Sequence, residues 1–193
     1  MTIERPAKEG MSSLTKQPNA AGPVVIGLAG WSGSGKTTLA LRLIGLLKAR
    51  GLRVATIKHA HHSFDVDVPG KDSYAHREAG ADEVLVASHQ RIAHMVEDPL
   101  PSADDRRALP DLLARLGSVD VVLVEGFKNG DHPKLEVYRS EVGKPRLHGT
   151  VPNILALATT GGDASAGAEA PGLPVFDLDD VESWLDQLLT LFR

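Results

Sequence analysis

The sequence predicts an α/β fold: a mostly parallel, twisted sheet with helices on both faces and a few additional antiparallel strands. Three observations carry that expectation. The apolar run Val24-Val-Ile-Gly-Leu-Ala29 leads directly into the glycine-rich stretch GWSGSGKT, Gly30 to Thr37, and from there into a helix-periodic segment. Downstream, short apolar runs alternate with helical patterns, which is how a chain builds strand–helix–strand crossovers. A second apolar run, Val121-Val-Leu-Val, delivers the acid Glu125 to a strand end. Ligands of such sheets lie at the carboxyl ends of the strands, where the glycine-rich stretch and Glu125 are both expected. The fold is thus expected to be P-loop NTPase-like.

The elements follow in order. Val24 to Ala29 is the first strand; a helix opens at Lys36, and Thr38 to Arg50 sets Leu39, Leu43, Leu46 and Leu47 on one face. Gly51 stops that helix, and Leu52 to Ile57 forms the second strand. Lys58 to Gly80 is loop and then helix, the helix holding Tyr74 to Ala79 with Ser73 or Asp72 as its cap. Asp82 to Ala87 is a third strand, and Arg91 to Val96 pairs with it. Ser102 to Leu116 is a helix capped by Ser102 or a nearby aspartate, and Val119 to Val124 is the clearest buried strand. Lys134 to Arg139 alternates, as an ordinary sheet strand or one that pairs across an interface; Asn153 to Ala158 is a further strand. Gly161 to Gly172, rich in Ala and Gly, reads as a flexible loop. Val181 to Phe192 closes the fold as a helix with Val181, Trp184, Leu185, Leu188 and Leu189 inward.

The stretch from Gly30 to Thr37 matches G-x-x-x-x-G-K-[ST] at every fixed position, so a bound nucleoside triphosphate is expected. Glycines at 30, 33 and 35 let the backbone curl so that its N–H groups face phosphate oxygens. Lys36 can bridge the terminal phosphates, Thr37 can offer its hydroxyl to Mg²⁺, and the helix adds its positive end. Glu125 is placed to hold the metal that neutralises charge between the β- and γ-phosphates. Between Lys58 and Gly80, Asp65 and Asp67 are candidates to complete the metal site or act in hydrolysis alongside Lys36, while Lys58 and Lys71 can neutralise phosphate. His59, His61 and His62 invite a transition-metal reading. Against it, neighbours on a strand face opposite ways and no cysteine assists; histidines contacting anions or hydrogen-bonding in a polar loop are the plainer alternative.

Composition narrows the field. The 193 residues are 42% hydrophobic, enough for one sizeable core, so residues 23–193 are expected to form one nucleotide-binding domain behind a disordered tail, 1–22. The tail is polar, carries Pro6 and Pro18, and resembles neither a signal peptide nor a membrane span. A net charge of −4 argues against general nucleic-acid binding. The absence of cysteine excludes disulfides and thiolate chemistry and fits a cytoplasmic setting.

The loop GWSGSGKTTL, the KHAHH segment, the block DVPGKDSYAHREAGADEVLVAS and the strand end VLVEGFK together resemble the MobB family, adaptors of molybdopterin-guanine dinucleotide biosynthesis. The resemblance spans Val24 to about Lys134. It implies a homodimeric GTP-binding protein with weak GTPase activity, acting beside the guanylyltransferase MobA when GMP is attached to molybdopterin. By that similarity Gly33, Ser34, Gly35, Lys36, Thr37 and Thr38 bind phosphate, and Thr37, Asp67 and Glu125 surround Mg²⁺; Gly30, Ser32 and Lys71 are further nucleotide-binding candidates from the residues themselves. Guanine selection has no N-K-x-D motif to rest on; the nearest substitute is Thr159-Thr-Gly-Gly-Asp163, whose Asp163 can accept from guanine N–H donors, or an ordinary glycine turn. Lys128, Arg139 and Arg146 are basic residues able to hold the pterin phosphate. Two other classes share the loop: a small-molecule kinase, with Asp104-Asp-Arg106-Arg107 as its only local lid candidate, and a nickel-type metallochaperone GTPase, kept open by HAHH.

Overall fold

The computed structural model describes residues 22–60, 64–97, 105–161 and 172–193. Its strands and helices are β1 (Val24–Ala29), α1 (Lys36–Ala49), β2 (Val54–Lys58), α2 (Asp72–Glu78), β3 (Glu83–Ala87), β4 (Ile92–Val96), α3 (Asp105–Ala114), β5 (Val121–Glu125), β6 (Lys134–Val137), β7 (Ile154–Thr159), β8 (Val175–Asp177) and α4 (Val181–Leu191). Six strands form one sheet in the order β2-β5-β1-β6-β7-β8. Every pairing in it is parallel. β3 and β4 form a separate antiparallel pair.

Strand alternation assigns the two faces. Val121 and Leu123 of β5 point to one side, where they pack with Leu39, Leu43 and Leu47 of α1 and with Val181, Trp184, Leu185 and Leu188 of α4. Val122 and Val124 point to the other, against Ala108 and Leu109 of α3 and against Phe127. Helices therefore cover both faces, and the parallel strands read as unbroken apolar runs because neither side meets water. Leu46 and Leu189, expected inward, are partly buried at the margin of the first cluster.

β6 departs from the apolar rule. All four of its residues are buried, Lys134 and Glu136 included. Lys134 Nζ donates to the backbone carbonyls of Gly130, His132 and Pro152, and Glu136 accepts the backbone N–H groups of Leu147, at 2.6 Å, and His148, at 2.9 Å. Buried charges persist when hydrogen bonds replace the lost water, and here they tie two loops to the middle of the sheet. β6 lies between β1 and β7, so both its edges are filled and it has none to offer an interface.

Asp82 to Ala87 and Arg91 to Val96 pair with each other as expected, and the antiparallel pair stands apart from the main sheet. Two further expectations need correcting. α2 starts at Asp72 with Lys71 in the N-cap position and no side-chain cap; the Ser73 hydroxyl instead donates to Asp67 Oδ1 at 2.9 Å. β8 has no counterpart in the expected elements. It is three residues long, and its Phe176 stacks on Trp184 of α4 with ring centroids 4.8 Å apart. The tail up to residue 21, His61, His62, Ser102, Asp104, Asp163 and most of the loop after Gly161 lie outside the described residues.

Candidate functional site: the phosphate loop and its surroundings

β1 ends at Ala29 and the chain turns through Gly30, φ +154°, Gly33, φ +83°, and Gly35, φ +97°, before α1 begins. At Gly30 the requirement for glycine is steric as well as conformational. A Cβ there would stand 2.5 Å from the Val137 carbonyl and 2.6 Å from Ser34 Oγ. Ser34 is buried, and its backbone N–H donates to the Trp31 carbonyl at 3.2 Å, closing the turn. Gly35 is the N-cap residue of α1 and brings no side-chain acceptor. The first amides of the helix are thereby left for an anion, the ready-made arrangement of a phosphate site.

Lys36 Nζ donates to the carbonyls of Gly30 and Trp31, each at 2.9 Å. A lysine ammonium has three donors, so one remains for a phosphate oxygen while two hold the loop in shape. Desolvation holds Lys36 below the ordinary lysine range; Glu125 opposes that shift and Lys58 adds to it.

Register brings the rest of the site to the same edge. Glu125 pairs with Leu28 of β1 on one side and with Lys58 of β2 on the other. Thr37 Oγ1 lies 3.3 and 3.4 Å from the two Glu125 carboxylate oxygens, and Lys58 Nζ stands 3.7 Å from Oε1. A hydroxyl and a half-buried carboxylate side by side are hard oxygen donors of the sort Mg²⁺ takes, with waters and phosphates completing its octahedron. Among the described residues no group of three or more His, Cys, Asp or Glu side chains is arranged to hold a metal. The ring of His59 stacks on Phe127 at 4.6 Å and 20°, and its backbone N–H donates to the Glu125 carbonyl at 2.8 Å.

The turn after Glu125 is constrained. Gly126 has φ +95°, and a Cβ on it would come within 2.6 Å of His59 Cβ. Phe127 follows with φ +49°, a conformation side chains seldom adopt, held by burial against Val122 and Val124. Sequence reasoning did not find Phe127, since nothing in an aromatic residue announces a left-handed backbone. The tight Glu125-Gly126 corner was its only signal.

Asp65 and Asp67 gather around Arg77. Asp65 Oδ1 accepts the Asp67 N–H and Arg77 Nη1, both at 2.8 Å, while Asp67 Oδ1 accepts Val68 N at 2.9 Å and the Ser73 hydroxyl. Arg77 Nη1 is 3.6 Å from Asp67 Oδ2, and Arg77 Nε donates to Glu97 at 2.6 Å. The Asp67 N–H and then Arg77 hold the Asp65 carboxyl below the usual carboxylate range. Both aspartates thus brace the segment between β2 and α2, and Lys71 is exposed at the start of that helix. Ser32 and Thr38 are exposed on the loop and the first turn of α1.

On its other flank the loop is gripped by Trp31, whose Nε1 donates to the Pro145 carbonyl at 2.7 Å. Lys128 and Lys144 stand 5.8 and 6.0 Å from the Trp31 ring centroid, and the Arg146 guanidinium sits 4.1 Å over Tyr138. A basic, aromatic rim therefore borders the phosphate loop on the β6 side.

Residues 25–160 match the family described as MobB, molybdopterin guanine dinucleotide synthesis protein B. This chain belongs to the MobB family. The molybdopterin-guanine dinucleotide biosynthesis adapter protein of Escherichia coli K12 is 39% identical over 84% of this chain and 89% of its own length. That of Haemophilus influenzae is 45% identical over 70% and 74%. Among solved structures, a MobB homolog from Bacillus stearothermophilus superposes with a TM-score of 0.58 at 28% identity, covering 86% of this chain and 97% of that one. Bacillus subtilis MobB gives 0.63 at 25%, covering 88% and 98%. These MobB structures have the same P-loop NTPase-like fold described above. The KHAHH, GKDSYAHREAG and VEGFK segments fall inside the MobB match.

Proposed function

We propose that this MobB chain is an adaptor of molybdopterin guanine dinucleotide biosynthesis, loaded with GTP and Mg²⁺, that assists a MobA-type guanylyltransferase. The observation that carries the nucleotide part is the meeting of Thr37 and Glu125, at 3.3 Å, beside a phosphate loop whose lysine keeps one donor unspent. The phosphate loop from Gly30 to Thr38 holds the phosphates, Thr37 and Glu125 hold the metal, and Asp67 joins them only if the segment between β2 and α2 closes over the nucleotide. Asp163, four residues after the last residue of β7 in the sequence, is our candidate reader of guanine.

Hydrolysis is slow in this reading. Asp65 is held ionised by the Asp67 N–H and by Arg77, which makes it a weak base, and Asp67 Oδ1 is committed to Ser73 and Val68. A nickel-type metallochaperone draws no support from His59, which stacks on Phe127. The partner is a guanylyltransferase with its molybdopterin, and the protein acts in the cytoplasm; among the described residues no helix is long and apolar enough to cross a membrane.

The adaptor is a homodimer. The β3–β4 pair exposes Leu85, Val86 and Ile92, and Phe64, Val66 and Val68 are exposed in the preceding segment. A two-stranded sheet is marginal alone in water, and its open apolar edge is a template for a second copy.

Calorimetric titration of GTP and ATP with Mg²⁺, on wild type and Lys36→Ala, tests the reading. GTP preference lost in the variant supports it; ATP preference points to a kinase instead.

A further inference from the structure

Arg139 stands two residues beyond the end of β6, beside the N-terminus of α1. A Cβ on Gly35 would lie 3.4 Å from Arg139 Nε, 3.7 Å from Nη2 and 3.8 Å from Cζ. The planar fork, rather than the aliphatic stem, is therefore what packs on the phosphate loop. Arg139 Nε is buried and has no hydrogen-bond partner. Two costs coincide there. A buried donor on a charged group goes unmatched, and a cation faces the positive end of a 14-residue helix. One anion shared by the guanidinium and the helix amides removes both.

Sheet order says which anion. Glu125 and Lys58 stand on β5 and β2, to one side of β1, and mark where the metal and the terminal phosphates lie. Arg139 follows β6, to the other side of β1, with the carboxyl end of β7 and its Thr159 next outward. A nucleotide lying across the loop with its γ-phosphate toward Glu125 places its α-phosphate toward β6.

We propose that Arg139 is the α-phosphate ligand of this site, a binding residue that grips the nucleotide independently of the γ-phosphate and of Mg²⁺. The inference rests on the nucleotide-binding reading above and adds to it a second cation on the opposite flank of the loop. Its fork suits two adjacent phosphate oxygens, which a lysine in its place would contact through a point charge.

The experiment compares dissociation constants for GTP with Mg²⁺ and for GDP without it, in wild type, Arg139→Ala, Arg139→Lys and Lys58→Ala. Arg139→Ala should weaken both ligands by the same factor, about ten- to a hundred-fold, the range for a hydrogen bond to a charged group. Arg139→Lys should recover part of that loss, while Lys58→Ala should change the ratio of the two constants. Phosphorus NMR on Arg139→Lys, the milder change, should move the α-phosphate resonance of bound nucleotide and leave the γ-phosphate in place. Unchanged affinity with a lowered melting temperature makes Arg139 a packing strut and overturns the proposal, as does a loss confined to the triphosphate. If wild type binds neither ligand, the nucleotide reading itself fails, and that outcome is visible before any variant is compared.

Discussion

Thr37 Oγ1 lies 3.3 Å from Glu125 Oε1, although 88 residues separate the two in the chain. One residue opens the helix that follows β1 and the other ends β5, and parallel pairing of those two strands with Leu28 opposite Glu125 closes the distance. The proposed metal-binding half of the site is thus a consequence of sheet register.

Removing either side of that contact should separate metal dependence from phosphate binding. Glu125→Gln or Thr37→Ala should weaken GTP with Mg²⁺ by about tenfold or more, since charge-assisted metal contacts are lost. GDP without Mg²⁺ should bind as before. Titration with and without the metal checks this.

Phe127 should be a stability residue as much as a positioning one. It is 2% exposed, packs under α3 and stacks on His59. Phe127→Ala should cost about 3–5 kcal/mol by chemical denaturation, the usual range for emptying a buried phenylalanine site. Phe127→Leu, which keeps much of the volume, should lose far less.

Nucleotide affinity should fall with rising pH earlier than an ordinary lysine would dictate. Burial disfavours the charged form of Lys36, so its unliganded pKa lies below the ordinary value, while phosphate needs the ammonium. Binding is therefore at full strength below that lowered pKa and weakens as pH rises through it. In the upper range binding takes up a proton. Calorimetry in two buffers of different ionisation enthalpy measures the uptake, which should be absent well below the lowered pKa and absent throughout in Lys36→Arg, whose guanidinium stays charged.

Charging the apolar hairpin should dissociate the proposed dimer. Ile92 is 69% and Leu85 62% exposed, so Ile92→Glu or Leu85→Lys should leave the fold's melting temperature nearly unchanged. Light scattering should then report a monomer where wild type gives a dimer.

The phosphate loop was legible because its chemistry demands fixed residue types at fixed spacing, α1 and α4 because their buried apolar residues recur at helical spacing, and β5 because its apolar run is unbroken. What stayed hidden was long-range. The Lys134 and Glu136 charges look like an exposed strand face, and the turn before β6 together with loops later in the chain supplies the backbone groups that let them be buried. Ser73 looks like a cap, yet Asp67 competes for its hydroxyl. β8 is too short to show a period, and the hairpin of β3 and β4 shows strand character without revealing that it stands apart from the main sheet.

The central claim is that the nucleotide-loaded state of this chain is what helps its partner. The most direct measurement is the rate at which a purified MobA-type enzyme guanylylates molybdopterin, with wild type or Lys36→Ala added at equal concentration. Wild type should raise the rate and Lys36→Ala, unable to hold nucleotide, should not. Equal stimulation by a Lys36→Ala protein shown to bind no GTP would contradict the account.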